Sequence, residues 1–487
     1  MGDDGGFPEV MFKIVNRIVN LGNPLPLARG ARPVWLWRNP AIRIPTMSTP
    51  QKSPLSTYRE PSRELPVIDE ADVLVVGGGP GGIGAALAAG RSGVRTILIE
   101  RFGSFGGTWT AGILSAIMPF PFVRGIFQEL QKRLAEAGAW KGWDPTGGAY
   151  GGGGTYDSEA IKTVLDRMVV EAGVVPYFFT QFADVIREGD RVTGVIVETK
   201  EGRAVIRARQ VIDASGDGDV CVRAGVPFDQ GRDSDGAVQP MTMIFKMVGV
   251  DSDRANEARK GDWHFTKAWA AAKAAGEVTV PREDVLASPN PREGEWNFNT
   301  TRIIGKDGTK VRDVSEAMIE GRRQVAEVAA FMRKYARGFE NAVVSETAPH
   351  IGVRETRRIR CDYTISSDDI VKVTPFDDCV ARGNWYIDIH SPTGEGTERV
   401  HPPEGKWYEV PFRSIRPQGL ANVIVASRCL DSSHEAHAAI RITPQVVAIG
   451  QAAGTAAAMC VKQGLASTRD LDTTQLRDDL RRQGAFV

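Results

Sequence analysis

The sequence predicts an α/β protein: a Rossmann-like dinucleotide-binding domain with an inserted antiparallel β-meander, joined to an α+β substrate domain. Three observations lead there. Residues 72–100 read strand, glycine turn, helix, strand, with Gly77, Gly79 and Gly82 in GxGxxG spacing directly after an apolar run. Between Val174 and Ile212 the hydrophobic period changes from helical to alternating, with turns at Glu188-Gly189-Asp190 and Glu201-Gly202, the pattern of a small antiparallel meander. Near the C-terminus the apolar run 422–426 precedes a helix rich in Ala and Gly, a return to the same sheet. The expected boundaries are 1–68 for an N-terminal extension, 69–224 with 415–487 for the dinucleotide-binding domain, and 225–414 for the substrate domain.

In chain order, residues 1–68 differ in composition from the rest. Residues 11–21 place Met11, Ile14, Val15, Ile18 and Leu21 on one helical face, and Pro- and Arg-rich sequence follows. One reading is a helix lying on a membrane surface or a partner. The favoured one is a start at Met47 with a disordered stretch upstream. In the nucleotide unit the glycines permit a tight turn at Gly77, close approach of backbone to a pyrophosphate at Gly79, and contact of helix with sheet at Gly82. Pro80 and Gly81 complete the turn, and the helix over 82–92 aims unpaired N–H groups and its positive dipole end at the phosphates. The second strand ends at Glu100, a carboxylate placed to accept hydrogen bonds from a ribose diol, which favours FAD or NAD over NADP. The following loop, with Arg101, Gly106, Gly107 and Thr108, keeps the backbone thin beside the cofactor.

Helices are expected over 127–138 and 158–172, the second with Ile161, Val164, Leu165 and Met168 on one face. The glycine-rich segment 146–155 between them is either a lid or slack. After the meander, Ser215, Gly216 and Asp217 form a second approach to the cofactor. A long helix over 315–336 turns Met318, Gly321, Val325, Val328, Ala329 and Met332 toward a core. Arg354, Arg357 and Arg358 crowd around Glu355, either gripping an anionic or polar substrate or forming an ion-paired surface. Asp388 and His390, at i and i+2 of a strand, share a face; the pair either orients an imidazole for proton transfer or is a buried hydrogen-bonded histidine. Thr443 before Pro444 reads as a capping hydroxyl and a helix start. The small residues of that helix, which also carries Gln451, are expected to pack on the sheet and a flat ligand. Between the last strand and this helix stand His434, Glu435, His437 and Arg441, the first candidates for proton chemistry, with His390 the second.

Composition excludes several classes. Sixty basic and sixty acidic residues cancel, which argues against a nucleic-acid partner. Five cysteines without a CxxC pair exclude a cysteine-ligated iron–sulfur cluster, a zinc ribbon and a vicinal redox disulfide, and point to a reducing, cytoplasmic setting. No transmembrane segment is expected, because no uninterrupted apolar run approaches the roughly 18 residues that cross a bilayer. No metal site is expected either: His434 and His437 have no third ligand nearby.

The glycine motif at 77–82, the Gly106-Gly107-Thr108 turn, the IDASGDGD run, the VRETRR segment, the YIDIH strand and the terminal HEAHAAIRITPQVVAIGQAAGTAA together resemble the bacterial FAD-dependent oxidoreductase family. That family lies within the flavoproteins with glutathione-reductase-type FAD domains, and the resemblance spans residues 67–487, with Ser427 and Cys361 standing where glycines are more usual. It implies FAD as cofactor and does not specify a substrate. A second GxGxxG unit for NAD(P)H is not visible. The expected activity is hydride transfer between flavin N5 and a small polar organic substrate, as a dehydrogenase or oxidase, with oxygen, a quinone or a carrier protein as electron acceptor. The alternatives are an NAD(P)H-dependent flavin reductase or monooxygenase and, from another class, a noncatalytic flavin-binding sensor or scaffold.

Overall fold

The computed structural model describes residues 56–120, 122–143 and 153–487. The expected amphipathic segment 11–21 lies outside them, as does most of the glycine-rich 146–155, whose last two residues enter a short strand, Gly154–Tyr156. Strand β1, Val67–Val76, runs into helix α1, Pro80–Arg91, and then into β2, Thr96–Ile99. β1 and β2 pair in parallel from Val73 opposite Thr96 to Val76 opposite Ile99, and every residue of β2 is buried, as a strand covered on both faces requires. Helices α2, Ile126–Glu136, and α3, Ala160–Glu171, follow; α3 buries Ile161, Leu165, Met168 and Val169, the stripe its 3.6-residue period sets.

Next come β3, Val175–Tyr177, parallel to β2, and the antiparallel pair β4, Gln181–Glu188, and β5, Arg191–Thr199. Strand β6, Gly202–Asp213, is the joint of the sheet. Its first half pairs antiparallel with β5, while its length runs parallel to β1 as far as Val76 opposite Asp213. The sheet order is therefore β3-β2-β1-β6-β5-β4, with a C-terminal strand added beside the second half of β6.

A second hydrophobic core gathers around β7, Phe245–Val248, β8, Trp296–Phe298, helix α4, Val311–Tyr335, and β9, Val343–Thr347. α4 begins earlier than its apolar period suggests, and it buries Gly321, Val325, Val328, Ala329 and Met332 while Met318 is only half-buried. A β-carbon at Gly321 would stand 2.7 Å from the Cβ of Met243, so the helix lies close on the core. The second core stops near Ile351; Ile359, Val380, Ile387 and Tyr408 pack with the first.

The chain returns through β10, Ile387–His390, paired with β11, Thr397–Val400, and through β12, Val423–Val425, parallel to β6. Two helices close the site, α5, His434–Ile440, and α6, Thr443–Gln463. The link between them is only Arg441 and Ile442, so the helix begins at Thr443 itself: Ile442 is the N-cap and no side chain caps it, contrary to the expected Thr443 cap. The small residues of α6 meet α1 as well as the sheet. A β-carbon at Gly450 would lie 2.0 Å from Gly81 O, and one at Gly454 2.1 Å from Ala85 O. α6 has the length and composition of a membrane span, yet 94% of that stretch is buried within the protein.

Candidate active site

Four loops leave the carboxyl ends of β1, β2, β6 and β12 at one edge of the sheet, where ligands bind in open α/β folds. All four line a single cleft of about 1010 Å³, through Gly77, Gly79, Pro80 and Gly81, then Glu100 and Arg101, then Ser215, Gly216 and Asp217, then Ser427 and Arg428. Three of the motif glycines are held by backbone. Gly77 has φ +104° and a β-carbon there would stand 2.5 Å from Ala214 O; at Gly81 it would stand 1.7 Å from Ala426 O, and at Gly82 1.8 Å from Gly77 O. Gly79 differs, for nothing lies within 4 Å of a β-carbon built on it. α1 also starts there with no side-chain cap, leaving N–H groups for a ligand anion.

Glu100 is 5% exposed, its Oε2 accepting from Gly78 N at 2.8 Å and its Oε1 from Phe102 N at 2.9 Å. Burial raises its pKa above the ordinary carboxylate value, and each oxygen keeps a lone pair for a ribose hydroxyl at the cleft wall. Gly107 and Thr108 line the cleft, while Gly106, at φ +108°, pins their loop by donating to Gly78 O at 2.8 Å. Asp217 accepts from Thr356 at 2.7 Å and from Arg428 at 2.6 Å. Burial, then Asp217 and Asp213, push Asp219 up to about 6. Ser427 and Cys361 both keep negative φ, so side chains sit there without strain. Gln451 is not part of the cleft. It is buried on α6, where its side-chain carbonyl accepts from Ile126 N at 3.1 Å and so holds the start of α2.

The expected catalytic residues separate into two groups. Arg354, Asp388, His390 and Arg441 also line the cleft; His434, Glu435 and His437 do not. His434 is turned away by a partner distant in sequence, its Nδ1 lying 2.8 Å from Glu355 Oε1, which also takes a 2.6 Å ion pair from Arg358. Glu355 is thus a buried structural acid, and Gln239 N donates to its other oxygen at 3.0 Å. The three arginines do not crowd around it: Arg357 pairs with Asp219, and Arg354 points to Pro240, Thr242 and Asn299. His437 is 1% exposed, and burial, then Arg441 and Arg358, push its pKa well below the usual histidine value. Glu435 faces solvent, on the opposite side of α5 from the buried His434 and His437.

His390 Nε2 lies 3.5 Å from Asp388 Oδ2 and its Nδ1 lies 3.3 Å from Arg302 Nη2. Because a guanidinium only donates, Nδ1 is the acceptor and the ring proton sits on Nε2. Burial, then Arg354, push His390 down to about 3, so it is neutral at pH 7 with both nitrogens engaged. Burial works against the Asp388 charge, but the bond to His390 and the nearby Arg441 and Arg399 hold its pKa at about 2. Several cleft residues belong to no motif: Arg259, Trp263, His264 and Arg282, while Trp385 opens the WYIDIH run that carries Asp388 and His390. Arg259 stacks 3.7 Å from the Trp263 ring centroid, and His264 Nδ1 has no partner among the described residues. The adjacent Trp-His pair was the available signal for two of them, and nothing in sequence marks Arg259 or Arg282.

The sequence model of the FAD dependent oxidoreductase family matches residues 72–480. The chain belongs to that family. It is a flavoenzyme, with FAD as its cofactor, and the open space at Gly79, the uncapped start of α1 and the Glu100 carboxylate fit a dinucleotide. Among curated relatives, the thiamine thiazole synthase of Methanococcus vannielii is 32% identical over 157 residues, which are 30% of this chain and 56% of that protein. That of Methanosarcina barkeri is 29% identical over 161 residues, with the same 30% and 56% covered. The chain thus spans a little over half the length of these relatives. Solved structures similar to it include a geranylgeranyl bacteriochlorophyll reductase-like protein from Thermoplasma acidophilum, at TM-score 0.42 and 14% identity, covering 85% of this chain and 84% of that one. Another is the p-nitrophenol 4-monooxygenase of Pseudomonas putida, at TM-score 0.42 and 14% identity, covering 86% and 94%.

Proposed function

We propose that this oxidoreductase moves a hydride between flavin and a small polar organic substrate bound in the same cleft. One observation carries the reading: a continuous cleft joins the glycine turn at Gly79 to a polar chamber walled by Arg354, Asp388, His390 and Arg441. Gly77, Gly79, Pro80 and Gly81, with the N–H groups of α1, hold the FAD diphosphate, and Glu100 holds the adenosine ribose. Arg101, Gly107, Thr108, Ser215, Gly216 and Asp217 line its path. Bound FAD supplies the two-electron acceptor or donor that the side chains lack.

The chain's own residues do the rest. Ile442, Thr443 and Val446 bring the uncapped N-terminus of α6 to the cleft, where its positive end favours negative charge on a bound ring. Neutral His390, with its one N–H toward Asp388 and Nδ1 taken by Arg302, holds those two side chains at the cleft wall and does not accept a proton. His264 lines the same cleft with a ring nitrogen unpartnered among the described residues, and it takes the proton that leaves a substrate O–H or N–H as the neighbouring C–H gives up its hydride.

The test is anaerobic mixing of the yellow holoenzyme with alcohols, sugars, amines and hydroxy acids, and separately with NADH and NADPH, while flavin absorbance is followed. Bleaching by a member of the first set is the expected result. Rapid bleaching by a pyridine nucleotide alone would overturn the proposal in favour of a reductase or monooxygenase.

A further inference from the structure

We infer that the part of the cleft beside Arg354 and Arg441 is a carboxylate-binding recess, in which the two arginines together hold the carboxylate of an organic acid. The inference rests on the reading that substrate occupies this part of the cleft, and it commits that substrate to one chemical class.

Both guanidiniums are fixed on the same short stretch of chain. Arg354 donates to Pro240 O at 2.7 Å, to Thr242 Oγ1, and to Asn299 Oδ1 at 3.3 Å. Arg441 donates to Gln239 Oε1 and to Asp388 O, each at 3.3 Å. Every one of these acceptors is a neutral oxygen. Neither arginine has an ion pair among the described residues, whereas the two neighbouring guanidiniums do: Arg282 has Asp284 at 3.0 Å and Arg302 has Glu283 at 3.4 Å. Asp388 supports both Arg354 and Arg441 but is already shared with His390 at 3.5 Å and Arg399 at 3.6 Å, and Glu355, which also supports Arg441, is taken by Arg358 and His434. Burial, then Arg441, Arg282 and Arg302, all oppose the charge on Arg354, and Asp388 supports it.

Around the recess the guanidiniums Arg282, Arg302, Arg354, Arg399 and Arg441 therefore outnumber the carboxylates Glu283, Asp284 and Asp388. An uncompensated guanidinium away from water is costly, and a bound anion relieves that cost. The unused donors point the same way: Arg441 Nε, Gln239 Nε2, Arg282 Nη1 and Trp385 Nε1 are buried without partners among the described residues. Two planar guanidinium forks suit the two oxygens of a carboxylate. The stacked pair Trp385 and Tyr386, with ring centroids 4.4 Å apart, also lines the cleft and offers an apolar wall to the organic part of the ligand.

The experiment is isothermal titration calorimetry of the full-length, FAD-loaded protein with benzoate, benzamide and phenyl phosphate, repeated for Arg354→Met and Arg441→Met. Benzoate is expected to bind, with benzamide and phenyl phosphate weaker by about tenfold or more, and each Met variant is expected to weaken benzoate by about tenfold or more at unchanged flavin content. Equal binding of benzoate and benzamide in the parent protein overturns the inference whatever the variants do. So does tighter binding of phenyl phosphate, or loss of FAD from the Met variants, which would place these arginines on the cofactor. Arginine-dependent benzoate binding without flavin bleaching by any organic compound would keep the recess and reject the hydride reading. Bleaching by a neutral compound that benzoate does not slow would keep the hydride reading and reject the recess.

Discussion

At Gly79 the protein itself gives no steric reason for the missing side chain, and the proposed diphosphate supplies one. A β-carbon at Gly77, Gly81 or Gly82 would strike backbone within 1.7–2.5 Å, but one at Gly79 meets nothing within 4 Å. Gly79→Val should therefore fold with a melting temperature close to that of the parent apoprotein and lose bound FAD, because the valine fills the space of the diphosphate. Co-purified flavin absorbance, read beside the melt, checks it; a yellow Gly79→Val protein would move the diphosphate elsewhere. The motif was legible because all its requirements are local, a strand, a turn and a helix within one run of sequence. His434 was not legible for the opposite reason. Its partner Glu355 belongs to another element, and only the fold brings the two within 2.8 Å. A histidine-rich segment beside a cofactor helix thus became part of the buried wall behind the site.

Among the elements, the contact of α1 with α6 sets how near both helix N-termini come to the cleft. Helix propensity alone favours Ala over Gly in a helix interior by roughly 0.5–1 kcal/mol. At Gly454, however, the added carbon would lie 2.1 Å from Ala85 O, and overpacking of that kind costs about 1–3 kcal/mol. The steric term wins, so Gly454→Ala should lower the urea midpoint of unfolding, with m unchanged. A raised midpoint would mean that the helices separate easily and that their close contact does not position the site. The small residues of α6 showed in sequence that something approaches closely. They did not show that it is α1, because a stripe of Ala and Gly accepts any flat or thin neighbour. The absent Thr443 cap has a similar origin: a link of two residues fixed by α5 overrides a local capping preference.

On the scale of the whole molecule, the parallel sheet was legible through its apolar runs, but the substrate end was not. Arg259, His264 and Arg282 reach the cleft from a segment without a repeating pattern, and their convergence depends on a second core that sequence spacing does not encode. The same burial makes stability depend on pH. An unfolded histidine titrates near 6.5, whereas His390 is held at about 3, by burial and then Arg354, and His437 well below 6.5, by burial and then Arg441. Above pH 6.5 neither state carries these protons and the histidine contribution to stability is complete. As pH falls below 6.5 the unfolded chain takes up protons that the folded one refuses, and each histidine removes up to ~1.4 kcal/mol per pH unit until its folded pKa is reached. His350, pushed to about 4 by burial and then Arg101, adds to the loss. Asp219, raised to about 6, opposes it: the folded state holds a proton that the unfolded state releases between about 6 and 3.8, so its contribution grows on acidification and is lost as pH rises through 6. Glu100, also raised by burial, acts in the same sense as Asp219. Three histidines, joined by Asp388 held at about 2, outweigh Asp219 and Glu100, so unfolding takes up protons on balance and stability declines between pH 6 and 4.5. The apoprotein melting temperature should therefore fall steadily from pH 6.5 to 4.5, and His437→Leu should make that decline shallower even if it shifts the whole curve. A melting temperature that is flat or rising over this range would show that these imidazoles are protonated in the folded protein.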